Sequence, residues 1–264
     1  MKLLTLNCHS WQEENQLEKI QCLAETIKEK SYDVIALQEV SQHIDSLLCA
    51  NGLKEDNFLL VLIEELKKIG VTGYEYVWDL SHIGFKVYEE GSVILTKYPV
   101  LEKESFIASK SEDIYVWKTR RIVGTTVEIK GKPFTFYSCH LGWWNDEEEP
   151  FTKQIDQLLS YANQHNHFFL MGDFNNNAYV RNEGYDYLKG KGLVDTYELA
   201  IEKDSGQTVK GKIAGWDENK EDLRIDLILT NKQVNVKSSK VIFNGDNKPV
   251  ISDHFGVEIE VEIE

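Results

Sequence analysis

Proline, cysteine and long apolar stretches are all scarce in this sequence. Only 4 of its 264 residues are proline, and no segment rich in serine, glycine or proline marks a linker. Hydrophobic residues make up 42 %, which is enough for a sizeable core. Because large α/β folds often extend to about 250 residues as one unit, we expect a single domain that spans residues 1–264.

The scarcity of cysteine and of apolar runs bears on location. Cys8, Cys22, Cys49 and Cys139 lack the paired spacing of a zinc site, so we expect buried free thiols in a reducing compartment, the cytoplasm. The longest apolar run, residues 58–63, is far shorter than the ~20 residues that span a membrane. No apolar stretch follows a basic N-terminal head, so we expect neither a signal peptide nor a membrane partner.

Positive charge is also in short supply. Lysine and arginine number 29 against 44 acidic residues, which gives a formal net charge of −15 at pH 7. Non-specific binding to nucleic acid requires basic charge on the protein. The balance therefore favours a small substrate over a long nucleic acid, although a local basic groove is compatible with the same total.

Hydrophobic periodicity predicts an α/β protein with many strands. A helical stripe of apolar residues is found at 14–30, 58–69 and 151–163. Alternating or short apolar runs predict strands at 2–8, 33–37, 74–80, 92–96, 122–129, 134–139, 167–171, 225–230, 234–243 and 255–263. Strands with a few interposed helices indicate two packed sheets with helices outside them.

Six segments place a carboxylate, amide or imidazole at or just beyond the end of a predicted strand, where loops carry functional groups. They are Thr5-Leu6-Asn7, Leu37-Gln38-Glu39, Ser138-Cys139-His140-Leu141, Gly172-Asp173-Phe174-Asn175, Arg224-Ile225-Asp226 and Ser252-Asp253-His254. Each segment alone has an ordinary explanation as a turn, a cap or a surface pair. The ordered combination of all six is far more specific.

This order of motifs resembles the endonuclease/exonuclease/phosphatase superfamily, which includes deoxyribonuclease I, neutral sphingomyelinases and inositol polyphosphate 5-phosphatases. The resemblance extends from Asn7 to His254. It implies an α/β four-layer sandwich, in which two packed mixed β-sheets are flanked by helices. It also implies hydrolysis of a phosphate ester with Mg²⁺ as the cofactor, for which Mn²⁺ can substitute.

The resemblance also implies the metal ligands. Glu39 would be the main ligand, with Asn7 and Asp253 near the same ion or a second one. Mg²⁺ takes oxygen ligands, which these carboxylate and amide groups provide. The ion would neutralise the phosphate charge and stabilise an in-line transition state.

Catalytic roles follow from the same resemblance. Asp173 would orient or deprotonate the attacking water, and Asn175 would steady that water and a phosphate oxygen. Asp226 would hold His254, since a carboxylate fixes the tautomer of an imidazole and raises its basicity. Whether the imidazoles act as bases, acids or electrostatic clamps is left open.

Contacts on the other side of the phosphate are also implied. His140 would contact the phosphate, and Glu90 would pair with this histidine, although the neighbouring Glu89 could take its place. Arg120 and Arg121 are candidates for a phosphate contact. Because adjacent residues on a strand point to opposite faces, only one of the two arginines can face the site.

Aromatic residues near these motifs suggest a sugar-binding wall. Trp143 and Trp144 follow His140, and Trp216 precedes Arg224. Such rings could stack on a sugar, or one of them could pack in the core. His9 could point the same way as Asn7, but a structural role is the more ordinary interpretation.

The leading functional prediction is a phosphatase that acts on a small sugar phosphate. The stretch from Met1 to Trp11 is similar to that of bacterial maltose 6′-phosphate phosphatases of this superfamily, so maltose 6′-phosphate is the best single substrate guess. One alternative is a phosphodiesterase that acts on nucleic acid or on a phospholipid head group. Another is a phosphate-binding module without catalysis.

Overall fold

The computed structural model of the protein describes residues 1–50 and 52–263. The helices are α1 (Gln16–Lys30), α2 (Phe58–Lys68), α3 (Phe151–Ala162), α4 (Gly184–Gly190) and α5 (Thr196–Leu199). The strands are β1 (Lys2–Asn7), β2 (Val34–His43), β3 (Leu48–Ala50), β4 (Leu53–Lys54), β5 (Glu75–Gly84), β6 (Tyr88–Thr96), β7 (Val100–Ile107), β8 (Arg121–Ile129), β9 (Lys132–His140), β10 (Phe168–Asp173), β11 (Val194–Asp195), β12 (Glu202–Lys203), β13 (Asp226–Thr230), β14 (Asn235–Ile242) and β15 (Gly256–Glu262).

Two large mixed sheets organise these strands. One sheet has 7 strands in the order β12-β14-β15-β1-β2-β6-β5, and the other has 6 in the order β11-β13-β10-β9-β8-β7. The central pairs β1 with β2 and β9 with β10 are parallel. Because neighbouring parallel strands run in the same direction, Asn7 at the end of β1 lies beside Gln38 of β2, and His140 at the end of β9 lies beside Asp173 at the end of β10.

The two sheets pack face to face, and helices cover their outer faces. The inner core between the sheets includes Leu3, Val34, Ile94, Phe136, Met171 and Ile228. Alternate residues of the same strands point outwards, where Leu4, Leu6, Ile35 and Leu37 pack against α1 and α2, and Tyr137, Cys139 and Leu170 pack against α3 and α4. The predicted four-layer α/β sandwich of two mixed sheets flanked by helices is therefore confirmed.

Several local predictions need correction. Strand β2 continues to His43 and β6 begins at Tyr88, so both are longer than predicted, while β7, α4 and α5 were not predicted. All four cysteines are free thiols, but only Cys8 and Cys139 are buried. Cys49 is exposed because it lies on the β3–β4 hairpin outside the two large sheets. Within the described residues, no helix is both long and apolar enough to cross a membrane.

Gly172, directly before the end of β10, is expected to tolerate no side chain. Its φ is +151°, and an added Cβ would lie 1.9 Å from the carbonyl oxygen of Cys139. We expect Gly172→Ala to lower the free energy of unfolding by at least ~2 kcal/mol, because backbone strain and a steric clash add. Urea unfolding measures this loss.

Gly192 offers the matched control for this prediction. Its φ is +86°, but an added Cβ would meet nothing within 4 Å. Gly192→Ala should therefore cost only ~1 kcal/mol, the strain of a left-handed alanine. Equal losses in the two variants would contradict the assignment of a steric role to Gly172.

Candidate active site

The predicted site residues meet at one edge of the sandwich, where the central strands end. Asn7 ends β1, His140 ends β9 and Asp173 ends β10. Asp173 is in register with His140 on one side and with Asp226 on the other. The strand pairing therefore brings together groups that lie far apart in the sequence.

Glu39 reaches this edge through an irregularity in β2. The register between β2 and β6 shifts between Leu37 and Val40, and Glu39 has a φ of +51°. A bulge of this kind re-aims a side chain. The Oε1 atom of Glu39 accepts a hydrogen bond of 2.8 Å from Nδ2 of Asn7. The two strongest metal-ligand candidates are thus in direct contact.

The carboxylate of Asp173 lies at the centre of the group. Its Oδ2 accepts from Nδ2 of Asn7 at 3.2 Å and from Nδ2 of Asn175 at 3.3 Å. Its Oδ1 accepts from the backbone N–H of Asn175 at 2.8 Å. Burial raises the pKa of Asp173 to about 7, although the neighbouring His254 acts in the opposite direction. Hydrogen bonds from Asn7 and Asn175 therefore fix the position of the carboxylate, and its pKa is close to neutral pH.

His254 and Asp226 form a buried pair beside Asp173. Nδ1 of His254 lies 3.0 Å from Oδ2 of Asp226, and its Nε2 lies 3.8 Å from Oδ2 of Asp173. Burial alone would lower the pKa of His254, but the charges of Asp226 and Asp173 together hold it well above its usual value. The arrangement leaves the Nε2 side of the ring facing the central carboxylate.

His140 lies on the opposite side of Asp173. Its Nε2 is 3.8 Å from Oδ2 of Asp173 and 3.8 Å from Oε1 of Glu39, while its Nδ1 is 3.8 Å from Oε1 of Glu90. Glu89 instead forms an ion pair of 3.0 Å with Lys54. Of the two neighbouring glutamates, Glu90 is therefore the one beside His140.

One further buried side chain, that of His82, lies beside Glu90. Oε1 of Glu90 lies 3.5 Å from Nε2 of His82. Burial raises the pKa of Glu90 to about 7. The pKa of Glu39 is also raised to about 7, by removal from solvent and by the charge of Glu90. Buried carboxylates that repel each other favour a nearby cation.

The two neighbouring arginines point in different directions. Arg120 is buried, and its charge interacts with Glu39, Glu90 and Asp173. Arg121 donates from Nε to the carbonyl oxygen of Leu80 at 2.7 Å and lies near Asp79. Of the two candidates, Arg120 is therefore the arginine that faces the cluster, and Arg121 points away from it.

Asp253 is linked to two residues that the sequence analysis left outside the site. Its backbone N–H donates to Oε1 of Glu13 at 3.1 Å, and its Oδ1 lies 3.6 Å from Nδ1 of His9. His9 and Glu13 also contact each other at 2.7 Å. A spacing of four residues would indicate a contact within a helix. Because residues 10–15 form turns and not a helix, the sequence pattern did not predict this contact.

A cavity of about 750 Å³ adjoins this cluster. Its lining includes tryptophans, asparagines and acidic groups together with one lysine: Trp143, Trp144, Trp216, Asn145, Asn175, Asn176, Asn177, Asn219, Glu183, Asp217, Glu218, Glu221 and Lys220. Trp144 also packs against Phe151 and Tyr187, so it belongs partly to the core. A larger groove of about 900 Å³ runs past His167 and Lys232 and is lined by none of the predicted site residues.

The sequence profile of the Endonuclease/Exonuclease/phosphatase family matches residues 5–254. The chain belongs to this family. A family protein from Leptotrichia buccalis C-1013-b is 43 % identical, with a TM-score of 0.94 and 100 % of both chains covered.

More distant structures share the endonuclease/exonuclease/phosphatase fold. The mannosyl-6-phosphatase Bt3783 from Bacteroides thetaiotaomicron VPI-5482 is 18 % identical, with a TM-score of 0.71 and 100 % of both chains covered. A humanized D. rerio TDP2 is 18 % identical, with a TM-score of 0.65, and the match covers 100 % of this chain and 99 % of that one. No curated protein sequence matches the chain significantly.

The donor set suits the divalent cation expected for an endonuclease/exonuclease/phosphatase family member. Ligand atoms lie within 4.8 Å of one another in three groups at the site: Glu39 with Glu90 and His140, Asp173 with Asp226 and His254, and His9 with Glu13 and Asp253. Carboxylate and amide oxygens are the ligands that Mg²⁺ prefers. The residues present therefore fit an oxygen-liganded ion, and Glu39 accepts a hydrogen bond from Asn7 and lies 3.8 Å from His140.

Proposed function

We propose that the chain is a Mg²⁺-dependent phosphomonoesterase that acts on a small sugar phosphate, with maltose 6′-phosphate as the first candidate. The observation that carries the proposal is the surroundings of Asp173. Its carboxylate contacts Asn7 and Asn175 and lies 3.8 Å from both His140 and His254. Donors and imidazoles around one buried carboxylate are suited to activating water beside a phosphate.

Glu39, Asn7 and Asp253 would hold the metal in this proposal. When bound, Mg²⁺ would supply the positive charge that neutralises the phosphate and the developing transition state. The partly buried Glu39 and the buried Glu90 support this assignment, because the charge of Glu90 raises the pKa of Glu39 and the charge of Glu39 raises the pKa of Asp173, so a cation would favour the ionised carboxylates. Arg120, buried beside both, would bind a phosphate oxygen from the protein side.

The remaining groups would orient the reactants and move the proton. Asp173, fixed by two hydrogen bonds from Asn175, would orient the attacking water and accept its proton. Asp226 fixes the ring of His254 through Nδ1, so Nε2 is the atom that would face the phosphate. His140, with Glu90 behind it, would contact the phosphate from the other side.

The cavity beside the cluster favours a small, uncharged alcohol as the group attached to the phosphate. Indole faces such as those of Trp143 and Trp216 suit the apolar faces of a sugar ring, and the asparagine amides suit its hydroxyl groups. The acidic Glu183, Asp217 and Glu218 would repel the further phosphates of a nucleic acid. The mannosyl-6-phosphatase among the structural relatives supports the same substrate class.

We also propose a single domain in a reducing compartment, the cytoplasm. Both large sheets contribute to one inner core, which supports a single domain. The free thiols support a reducing compartment, where cysteines stay unpaired.

A substrate panel tests the proposed function. The panel contains maltose 6′-phosphate, mannose 6-phosphate, plasmid DNA and sphingomyelin vesicles, each with Mg²⁺ and then with excess EDTA. We expect Mg²⁺-dependent release of inorganic phosphate from the sugar phosphates and no nicking of DNA. Nicking of DNA or cleavage of sphingomyelin without phosphate release from sugars would establish the phosphodiesterase instead. Binding of phosphate without turnover of any substrate would establish a binding module.

A further inference from the structure

Trp216 lies in a loop whose own contacts fix its position. An antiparallel bridge between Val209 and Leu223 closes the loop at its base. The indole packs against the small apolar cluster of Val209, Leu223 and Ile225. Nδ2 of Asn219 donates to the carbonyl oxygen of Gly211 at 2.6 Å. The indole is therefore anchored from within the loop.

The indole N–H of Trp216 is directed at the candidate catalytic centre. Nε1 of Trp216 donates to Oδ1 of Asn175 at 2.9 Å. An indole N–H can only donate, so the amide atom that faces it must be the oxygen. The NH₂ group of Asn175 then faces the carbonyl oxygen of Leu141 at 2.9 Å and Oδ2 of Asp173 at 3.3 Å. Every hydrogen-bonding atom of this amide is thereby assigned.

We propose that Trp216 is a positioning residue, which fixes the amide of Asn175 and through it the carboxylate of Asp173. The inference rests on the proposed function. It assigns a second role to an indole that the sequence suggested only as a wall of the substrate site. The ring contacts the cavity, and the N–H sets the geometry of the reacting centre.

This dual position links the two halves of the site. A leaving group bound in the cavity would contact the ring of Trp216, and the N–H of the same side chain donates to Asn175. The ring and the N–H can be separated by substitution, because phenylalanine keeps an aromatic face and lacks the donor. The two roles therefore make different kinetic predictions.

Trp216→Phe is expected to lower kcat roughly tenfold, the rate equivalent of one hydrogen bond. KM should change by less than about threefold, because the lost interaction acts on the reacting centre and not on substrate binding. Trp216→Ala should lower kcat similarly and also raise KM, since the aromatic face is gone. Trp78→Phe is the matched control, because it also removes an indole N–H, which donates to the carbonyl oxygen of Val40 at 3.4 Å.

A double-mutant cycle tests whether the effect of Trp216 passes through Asn175. In an Asn175→Ala background, Trp216→Phe should produce no further loss of kcat, because the partner of the indole is already absent. The same tenfold loss in both backgrounds would indicate a structural role and overturn the inference. So would a Trp216→Phe variant with the kcat of the wild type.

A readout independent of turnover accompanies the cycle. In ¹H–¹⁵N spectra, Asn175→Ala should shift the indole resonance of Trp216 and speed its hydrogen exchange, while the indole of Trp78 stays in place. An unchanged Trp216 resonance would contradict the hydrogen bond itself. Wild-type protein that hydrolyses no phosphate ester would refute the proposed function, whereas active wild type with an unaffected Trp216→Phe variant refutes only the positioning role.

Discussion

Asp173→Asn is expected to lower kcat for phosphate-ester hydrolysis by at least ~10²-fold, the usual scale for one acid–base group. An amide has nearly the shape of the carboxylate but cannot accept the proton of the attacking water. The contacts from Asn7 and Asn175 converge on this one side chain, so no neighbouring carboxylate is held in the same position. Steady-state rates on a sugar phosphate at saturating Mg²⁺ measure the loss.

Stability measurements separate this loss from misfolding. The raised pKa of Asp173, about 7, means that burial disfavours its ionised form in the folded protein. A neutral amide removes that disadvantage at neutral pH, so the melting temperature in EDTA should not fall by more than a few degrees. Asp156→Asn, which alters an exposed helical aspartate paired with Lys191, should retain the wild-type rate. A wild-type kcat in Asp173→Asn would refute the assigned role.

Glu39→Gln is expected to raise the Mg²⁺ concentration needed for half-maximal activity by at least ~10-fold, since perturbing even outer partners of a metal costs that much. Glutamine keeps an oxygen that can accept from Asn7 but loses the negative charge that attracts the cation. Titration of the rate with Mg²⁺, in parallel with binding calorimetry, measures the change.

The chain offers a matched control for the metal prediction. Glu102, Glu104 and His165 form another group of candidate ligand atoms within 4.8 Å, away from the predicted site. Glu102→Gln should leave the Mg²⁺ dependence unchanged. If Glu39→Gln keeps wild-type Mg²⁺ affinity while Glu102→Gln loses it, the functional metal belongs to the other group.

Regular periodicity made much of the fold predictable from the sequence. Helix α1 and strand β1 carry clear apolar patterns, because each buries one face or both against the rest of the protein. Strand β7 was missed because it lies at the edge of its sheet and half of its side chains are exposed, so its sequence shows no apolar run. Helix α4 was missed because it is short and has glycine at both ends.

The site was predictable where its residues lie at strand ends and less so where they depend on loops or bulges. Alternation established that only one of Arg120 and Arg121 could face the cluster, but not which one. The choice between Glu89 and Glu90 depended on the pairing of β6 with its neighbours. The contact between Trp216 and Asn175 joins two loops that are 41 positions apart, and no local pattern encodes it.

The central claim is that these dispersed side chains share one divalent cation beside Asp173. Crystals soaked in Mn²⁺ and measured at the manganese absorption edge test it directly. We expect an anomalous peak within about 2.5 Å of a Glu39 carboxylate oxygen, slightly beyond the bond length of Mg²⁺, with Asp173 and His254 lining the space next to it. A peak only at Glu102, Glu104 and His165, or no peak at millimolar Mn²⁺, would contradict the claim.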